Sequence, residues 1–214
     1  MGYTALIFDM DGTVLNTLED LAAAVNAMRR HEGLAELSVD QVRRSVGNGV
    51  AVLMEKTLPG GRAYPRYAEA TAFYRAYYES HCRIKTAPYP GILSLLDELK
   101  RRGIALAVVS NKQDAAVKPL SRAFFGDRMA VSMGEAPGLR RKPYPDMVWA
   151  AIEQLGKSQE ECLYVGDSEV DVATAKNAGL DCASVTWGFR DRALLESLHP
   201  NFLIDRPEEL LRLV

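Results

Sequence analysis

The chain has 214 residues, of which 48% are apolar and 25% are charged. This composition is typical of a folded globular protein and excludes disordered and fibrous classes. The 26 basic and 28 acidic side chains give a formal net charge of −2, which disfavours nucleic-acid binding through an overall positive field. We therefore expect no nucleic-acid partner, whereas local charge leaves an anionic small molecule compatible with the sequence.

The cysteine spacing and the length of the apolar segments indicate in which cellular compartment we expect the protein. Cys82, Cys162 and Cys182 are an odd number without paired spacing, which argues against a disulfide scaffold or a zinc site. Residues 4–8 have the pattern of a strand rather than that of a signal peptide. No window approaches the roughly 18 apolar residues of a membrane helix. We expect a cytoplasmic protein with no membrane partner, and the sequence does not distinguish a monomer from a dimer.

The first predicted element is a strand over residues 4–8, and a long helical segment follows it. Apolar periodicity predicts helices at about 17–31, 38–46, 49–58 and 64–82, with a capping box at Ser38 and Gln41. Because the segment 16–82 is too long for a simple strand-to-helix connection, we interpret it as an inserted all-helical domain. Residues 1–15 and 83–214 then form the other domain.

Short strands and helices alternate in the remainder of the chain. Continuous apolar runs predict strands at 104–109, 129–133, 162–165 and 182–185. Helical patterns over 91–102, 146–155 and 171–178 end at Gly103, Gly156 and Gly179. This alternation predicts an α/β fold with a doubly wound parallel sheet.

Polar side chains follow several of these strands. Asp9 and Asp11 come after the first strand. An Asp turn that only ends a strand would give the same sequence pattern. The further candidates lie after later strands, in the order Ser110, Asn111, Lys142, Asp167 and Asp171. Parallel sheets bind ligands at the carboxyl ends of their strands, so we expect these groups to converge on one edge.

The sequence Asp9-x-Asp11-Gly12-Thr13, followed by Ser110, Lys142 and Asp167 with Asp171, resembles the four motifs of the haloacid dehalogenase-like phosphatase superfamily. Residues 16–82 resemble its helical cap, inserted after the first motif. The resemblance implies a Rossmann-like catalytic core, a cap domain and phosphate ester hydrolysis. The carboxylate of Asp11 also distinguishes the chain from dehalogenases and phosphonatases of the superfamily, which lack one there.

The resemblance also implies a role for each motif residue. Asp9 would be a nucleophile that forms an aspartyl-phosphate, and Asp11 would be the general acid and then the base. Ser110 and Lys142 would bind the phosphoryl group. Mg²⁺ would be bound by Asp9, Asp11 through its backbone carbonyl, and Asp167, with Asp171 nearby.

Gly12, Thr13 and Asn111 are expected to shape the phosphate site. Gly12 would permit a backbone conformation closed to other residues, and Thr13 would stabilise the loop. Amide groups near Asn111 would meet the phosphate at a helix N-terminus.

The expected substrate is a small phosphorylated metabolite. The segment Val46-Gly47-Asn48-Gly49 resembles part of the cap of phosphoglycolate phosphatases, which makes Gly47 and Asn48 candidate substrate contacts and 2-phosphoglycolate the best single substrate. A helix-to-helix turn would also explain these glycines. The segment Trp187-Gly188-Phe189-Arg190 departs from the Gly-Tyr-Asn often seen at this point in those enzymes, and Arg190 is a candidate anion contact or a surface arginine.

Other functions compatible with the motifs are a sugar phosphomutase, an inorganic pyrophosphatase and a phosphoryl-accepting signalling module. The Asp9-x-Asp11 pair and the insertion 16–82 argue against the signalling module. A phosphomutase would require cap residues that admit a sugar, and the cap sequence has no convincing element of that kind.

Overall fold

A computed structural model describes residues 2–214. Within this range, contacts divide the chain into two compact units, one comprising residues 2–15 and 88–214 and the other Asn16–Ala87. The predicted boundary at residue 82 falls five residues before the division at 87. None of the described helices is both long and apolar enough to cross a membrane.

The first unit contains a six-stranded sheet. Its strands are β1 (Ala5–Phe8), β4 (Ala105–Gln113), β5 (Val131–Glu135), β6 (Cys162–Gly166), β7 (Asp181–Val185) and β8 (Phe202–Ile204). The short strands β2 (Leu15–Asn16) and β3 (Ala87–Pro88) pair with each other where the chain passes between units. The order β5-β4-β1-β6-β7-β8 is parallel at every described pairing, which confirms the predicted α/β sheet.

Five helices of the first unit connect its strands. They are α5 (Ile92–Arg101), α6 (Asp114–Phe125), α7 (Asp146–Leu155), α8 (Glu169–Ala178) and α9 (Arg192–Ser197), with 3-10 helices at Gln159–Glu161 and Pro207–Arg212. Ala5 and Ile7 of β1 pack in one buried cluster with Met147 of α7 and Ala175 of α8. All four residues of β1 are buried, because a central strand of a parallel sheet has both faces covered.

The strand order determines where the sheet can bind a ligand. Ile7 of β1 pairs with Ala107 of β4 on one side and with Tyr164 of β6 on the other. The chain thus leaves β1 between two strands whose connections run in opposite directions along the sheet, and such a switch point opens a crevice at the carboxyl ends of the strands. The loops after β1, β4 and β6 all begin at this edge.

The second unit is helical, as its apolar periodicity predicts. Its helices are α1 (Leu18–His31), α2 (Val39–Arg43), α3 (Gly49–Thr57) and α4 (Tyr67–His81), with a 3-10 helix at Gly61–Ala63. The capping box is confirmed: the Gln41 amide donates to Ser38 Oγ, and the Ser38 amide donates to Gln41 Oε1. Helix α2 ends at Arg43, short of the predicted residue 46.

A buried carboxylate holds the end of the second unit against its first helix. Asp20, in the first turn of α1, is 3% exposed. It accepts hydrogen bonds from the backbone amides of Ile84, Lys85 and Thr86, at distances of 2.9 to 3.1 Å, and from Thr86 Oγ1 at 2.8 Å. These bonds satisfy amides of a segment that has no strand or helix partner of its own.

Candidate active site

The loop after β1 is a tight turn that carries Asp9 and Asp11. The amides of residues 13–15 all point to the carbonyl oxygen of Met10, and the Gly12 amide donates to Leu15 O. Gly12 has a φ of +92°, and a Cβ there would lie 2.4 Å from Asp167 Oδ2. Glycine is therefore required both by its backbone conformation and by the close approach of the carboxylate.

Lys142 lies in a buried polar cradle beside Asp9. Its Nζ is 2.6 Å from Asp9 Oδ1, 2.9 Å from Asp171 Oδ1 and 3.0 Å from the Tyr164 hydroxyl oxygen. The side chain is only 2% exposed. Burial by itself lowers the pKa of Lys142, but the charges of Asp171 and Asp9 outweigh this effect and raise the pKa well above its ordinary value. The ammonium form is thus retained next to the two carboxylates.

Asp171 orients this cradle from the first turn of α8. Its Oδ2 accepts hydrogen bonds from the amides of Asp167 and Ser168, at 3.2 and 3.1 Å, and from Ser168 Oγ at 2.6 Å. The Tyr164 hydroxyl lies 3.2 Å from Asp171 Oδ1. A Cβ at Gly166 would lie 2.3 Å from the Asp171 side chain. One carboxyl oxygen therefore holds the loop after β6, and the other holds Lys142.

Asp167 lies between the loops that follow β1 and β7. Its Oδ1 accepts a hydrogen bond from Thr13 Oγ1 at 3.2 Å, and its Oδ2 accepts one from the Phe189 amide at 2.6 Å. A Cβ at Gly188 would lie 2.3 Å from Asp167 Cβ and 2.5 Å from Gly12 O. Burial raises the pKa of Asp167 well above its ordinary value, and the charges of Asp171 and Asp9 add to the rise.

The end of β4 contributes a hydroxyl, an amide and an ammonium group. Strand β4 runs to Gln113, beyond the predicted end at 109, and its pairing with β5 is irregular between Val109 and Gln113. Ser110 Oγ accepts a hydrogen bond from the Lys112 amide at 3.2 Å, and Asn111 Nδ2 donates to Lys142 O at 3.0 Å. Lys112 Nζ lies 3.1 Å from Asp11 Oδ1.

The donor set fits a hard divalent cation. Asp9, Asp167 and Asp171 each have a carboxylate oxygen within 4.8 Å of the others. Burial raises the pKa of Asp9 to about 7, in opposition to the lowering effect of Lys142, while the charges of Asp171 and Asp11 add to the rise. Ionised carboxylates gathered in this way require nearby positive charge, and an all-oxygen ligand set is the kind that Mg²⁺ and Ca²⁺ prefer.

The structure brings Asp9, Asp11, Gly12, Thr13, Ser110, Asn111, Lys142, Asp167 and Asp171 together at the carboxyl edge of the sheet. The remaining predicted residues are Gly47, Asn48 and Arg190. Gly47 and Asn48 belong to the second unit, where Asn48 precedes α3 and Gly47 has a φ of +119°. Arg190 follows β7 and forms an ion pair with Glu169 at 2.7 Å. Substrate binding by these three residues stays a prediction.

Sequence reasoning missed Lys112, Tyr164 and Gly188. Lys112 directly follows Ser110 and Asn111, and its position just past the predicted strand end at 109 could have indicated a role at the site. Tyr164 lies in the middle of β6 and is fully buried, where an aromatic residue is typical of an ordinary core position. Gly188 follows β7 without a positive φ, and only the approach of Asp167 reveals why it has no side chain.

Comparison with known proteins agrees with this fold. Residues 6–185 match the model of the haloacid dehalogenase-like hydrolase family. Phosphoglycolate phosphatase 1 of Pseudomonas aeruginosa is 32% identical over 96% of this chain and 78% of its own length. The phosphoglycolate phosphatase of Aquifex aeolicus is 33% identical over 98% of this chain and 95% of its own length.

Solved structures give the same result. A Lactobacillus delbrueckii protein, whose proposed assignment is phosphoglycolate phosphatase, superposes with a TM-score of 0.94 at 35% identity over 98% of this chain and 97% of that one. CbbY of Rhodobacter sphaeroides, solved in complex with phosphate, superposes with a TM-score of 0.77 at 25% identity over 97% of this chain and 96% of that one.

The fold, the family match and these relatives together show that the chain belongs to the haloacid dehalogenase-like hydrolase family. Within that family it is phosphoglycolate phosphatase-like, and it is a phosphoric monoester hydrolase. The resemblance inferred from the motifs is thereby confirmed. Phosphatases of this family generally use a metal ion, and the carboxylate cluster of Asp9, Asp167 and Asp171 is compatible with one.

Proposed function

We propose that the protein is a Mg²⁺-dependent phosphatase that hydrolyses a small phosphate monoester through an aspartyl-phosphate intermediate on Asp9, with 2-phosphoglycolate as the best single substrate. The observation that carries the proposal is the buried contact of Asp9 with Lys142, beside Asp11 at the carboxyl edge of the sheet. The similarity to proteins named phosphoglycolate phosphatase supports the substrate.

Asp9 is the proposed nucleophile. A carboxylate oxygen attacks phosphorus in line with the ester oxygen, and the covalent route divides one difficult displacement into two easier ones. The contact at 2.6 Å between Lys142 Nζ and Asp9 Oδ1 orients this carboxylate and adds positive charge where the phosphoryl oxygens would lie. Ser110 and Asn111 are proposed to donate hydrogen bonds to the same oxygens, which is electrostatic stabilisation by preorganised donors.

Asp11 is the proposed proton donor to the leaving oxygen. It is two residues beyond Asp9, in the turn fixed by Gly12 and the Met10 carbonyl, so both carboxylates belong to one rigid loop. After the first step the same carboxylate would accept a proton from the water that attacks the aspartyl-phosphate. An alkyl leaving group requires this proton most, because an alkoxide is a poor leaving group.

Asp9, Asp167 and the backbone carbonyl of Asp11 are the proposed ligands of Mg²⁺. Asp171, whose two oxygens already hold Lys142 and the Ser168 turn, is proposed to orient this set or to reach the ion through water. When bound, the ion would offset the charge of the carboxylates and of the phosphoryl oxygens. Thr13 and the Phe189 amide would keep Asp167 aimed at this position.

The second unit is proposed to act as the cap, with Gly47 and Asn48 contacting the part of the substrate beyond the phosphate. Gly47 and Gly49 have φ values of +119° and +77°, which defines the turn before α3. Arg190 is proposed as a further anion contact near Asp167. Its pKa is raised by the hydrogen bond to Glu169, against the lowering effect of burial, so it stays charged.

A panel of phosphate esters ranked by kcat/KM with Mg²⁺ tests the proposal. It includes 2-phosphoglycolate, sugar phosphates, pyrophosphate and an aryl phosphate. We expect 2-phosphoglycolate to rank first and Asp9→Asn to abolish turnover of every ester without unfolding the protein. Retention of a tenth of the activity by this variant would refute Asp9 as the nucleophile. Preference for pyrophosphate, or phosphoryl transfer to a second sugar hydroxyl, would instead favour a pyrophosphatase or a phosphomutase.

Asp11→Asn provides an independent arm of the same experiment. We expect it to reduce the turnover of alkyl phosphates more than that of aryl phosphates, because an aryl oxide leaves with less help from a proton. Equal losses on both ester classes would contradict the proposed role of Asp11.

A further inference from the structure

Lys112 is a second buried lysine at the candidate active site, and the mechanism proposed above leaves it without a role. Its side chain is 8% exposed, and its Nζ lies 3.1 Å from Oδ1 of Asp11, whose side chain is 16% exposed. Lysine is rarely buried to this extent unless it is paired. The pair thus places a positive charge at the proposed proton donor.

The backbone around Lys112 is constrained from two sides. Its amide donates to Ser110 Oγ at 3.2 Å, in the stretch where the pairing of β4 with β5 is irregular. On the other side, a Cβ at Gly134 of β5 would lie 2.5 Å from Lys112 O and 2.6 Å from Asp114 Cα. Only a glycine allows β5 to approach this closely, so the position from which the lysine side chain extends is fixed by the sheet.

The two buried lysines lie at different carboxylates. Lys142 contacts Asp9, the proposed nucleophile, and is also bound by Tyr164 and Asp171. Lys112 contacts Asp11, the proposed donor of a proton to the ester oxygen. A substrate group attached to that oxygen must lie next to Asp11, so Lys112 is on the leaving-group side of the phosphorus and Lys142 is on the nucleophile side.

We infer that Lys112 determines specificity for esters whose leaving group carries a negative charge close to the ester oxygen, the chemistry of a phosphorylated 2-hydroxy acid. In such a substrate the carboxylate is separated from the ester oxygen by a single carbon, a spacing comparable to the reach from Asp11 to Lys112. A neutral alcohol of the same size adds no charged contact to the one that this ammonium group already makes with Asp11, whereas a carboxylate adds a charge-assisted hydrogen bond. The inference rests on the proposed phosphatase function.

The test compares 2-phosphoglycolate with 2-hydroxyethyl phosphate, which replaces the carboxylate by a hydroxymethyl group of similar size. We expect the wild-type protein to prefer the charged ester in kcat/KM. In Lys112→Met the preference should fall by about tenfold to a hundredfold, the range that follows from loss of one charged hydrogen bond. Lys112→Arg, which keeps the charge, should retain part of the preference.

Lys118→Met is the matched control, because Lys118 is 63% exposed and is paired with Asp114 at the start of α6. We expect it to keep the wild-type preference. An equal loss on both esters in Lys112→Met, or an unchanged ratio, would overturn the inference. So would a wild-type protein without preference for the charged ester, a result that needs no variant to fold. Absence of activity on every ester in the wild type would instead refute the proposed function.

Discussion

The contacts of Lys142 indicate how a buried ammonium group is held in place at the candidate active site. Its ammonium group is fixed by two carboxylates and by the Tyr164 hydroxyl, and all four side chains are buried. A buried ion pair is expensive unless its remaining hydrogen-bonding capacity is satisfied. The tyrosine provides that third contact, and it also lies 3.2 Å from Asp171 Oδ1.

Tyr164→Phe should therefore lower kcat about tenfold with a smaller change in KM, because the ammonium group loses one hydrogen bond while the ring still fills its site. Steady-state kinetics on an aryl phosphate with Mg²⁺ would measure this effect. Tyr3→Phe is the matched control, since it removes a hydroxyl bonded to Asp181 at 2.5 Å, at the opposite end of β7. A similar fall in kcat for both variants would indicate a general loss of stability.

At the scale of elements, single carboxylates join segments that are distant in sequence. Asp20 in α1 binds the amides of residues 84–86, and Glu161 binds the Ser158 amide, Thr4 Oγ1 and Lys157 Nζ at 2.9, 2.8 and 3.2 Å. The first carboxylate fixes the end of the helical unit. The second joins the turn before β6 to the residue that precedes β1.

Asp20→Ala should lower the free energy of unfolding by about 3 kcal/mol, because three buried amides and a hydroxyl lose their acceptor. Urea denaturation would measure the loss. Glu19→Ala is the matched control. Glu19 is the neighbouring residue, and its ion pair with Lys85 involves side chains that are 57% and 62% exposed, so its removal should cost under about 1 kcal/mol. Comparable losses in the two variants would show that burial of Asp20 adds nothing.

Glu161 predicts a pH dependence of stability. The hydrogen bonds from Ser158, Thr4 and Lys157 lower its pKa from 4.5 to about 2. Since the pKa is lower in the folded state, the stabilisation is complete above pH 4.5 and is lost as the pH falls toward 2. In urea titrations, Glu161→Gln should lower the midpoint equally at pH 7 and 5.5, with a difference that shrinks below pH 4.5. A difference independent of pH would contradict this assignment.

At the scale of the whole molecule, the net charge of −2 conceals a strongly acidic site. Four carboxylates are gathered at one edge of the sheet, those of Asp9, Asp11, Asp167 and Asp171. Lys142 contacts Asp9 and Asp171, and Lys112 contacts Asp11. Acidic and basic charges nearly balance over the entire chain, but acidic charge is in excess at this site. A cation that binds only the folded state should therefore stabilise the folded state.

Mg²⁺ at about a hundred times its dissociation constant should raise the free energy of unfolding by about 2.7 kcal/mol, and EDTA should reverse the effect. Thermal denaturation with and without the ion, at an ionic strength matched with NaCl, would measure the shift. Asp167→Asn should lose most of it, because one proposed ligand is removed. An equal shift with NaCl alone would indicate general screening rather than a bound ion.

Much of this protein could be predicted from the sequence because the relevant signals are local. Apolar runs and helix-ending glycines predicted five of the six strands of the large sheet and three of the five helices of the first unit, with bounds that mostly differ from the observed ones by a few residues. They did not predict α6, α9 or β8, and β4, predicted to end at 109, extends to Gln113. The residues gathered at the site were found from their position after strands, since parallel strands place their carboxyl ends on one edge.

The sequence by itself determined the class of fold, the helical insertion and the motif residues, since each depends on spacing along the chain. Only the tertiary structure decided that β1 lies between β4 and β6, that Lys112 reaches Asp11, and that Tyr164 completes the contacts of Lys142. The requirement for glycine at position 188 is also explained only by the close approach of Asp167. These contacts join residues that are distant in sequence and are brought together by packing of the sheet. A local sequence pattern does not predict which distant side chain will occupy a given space.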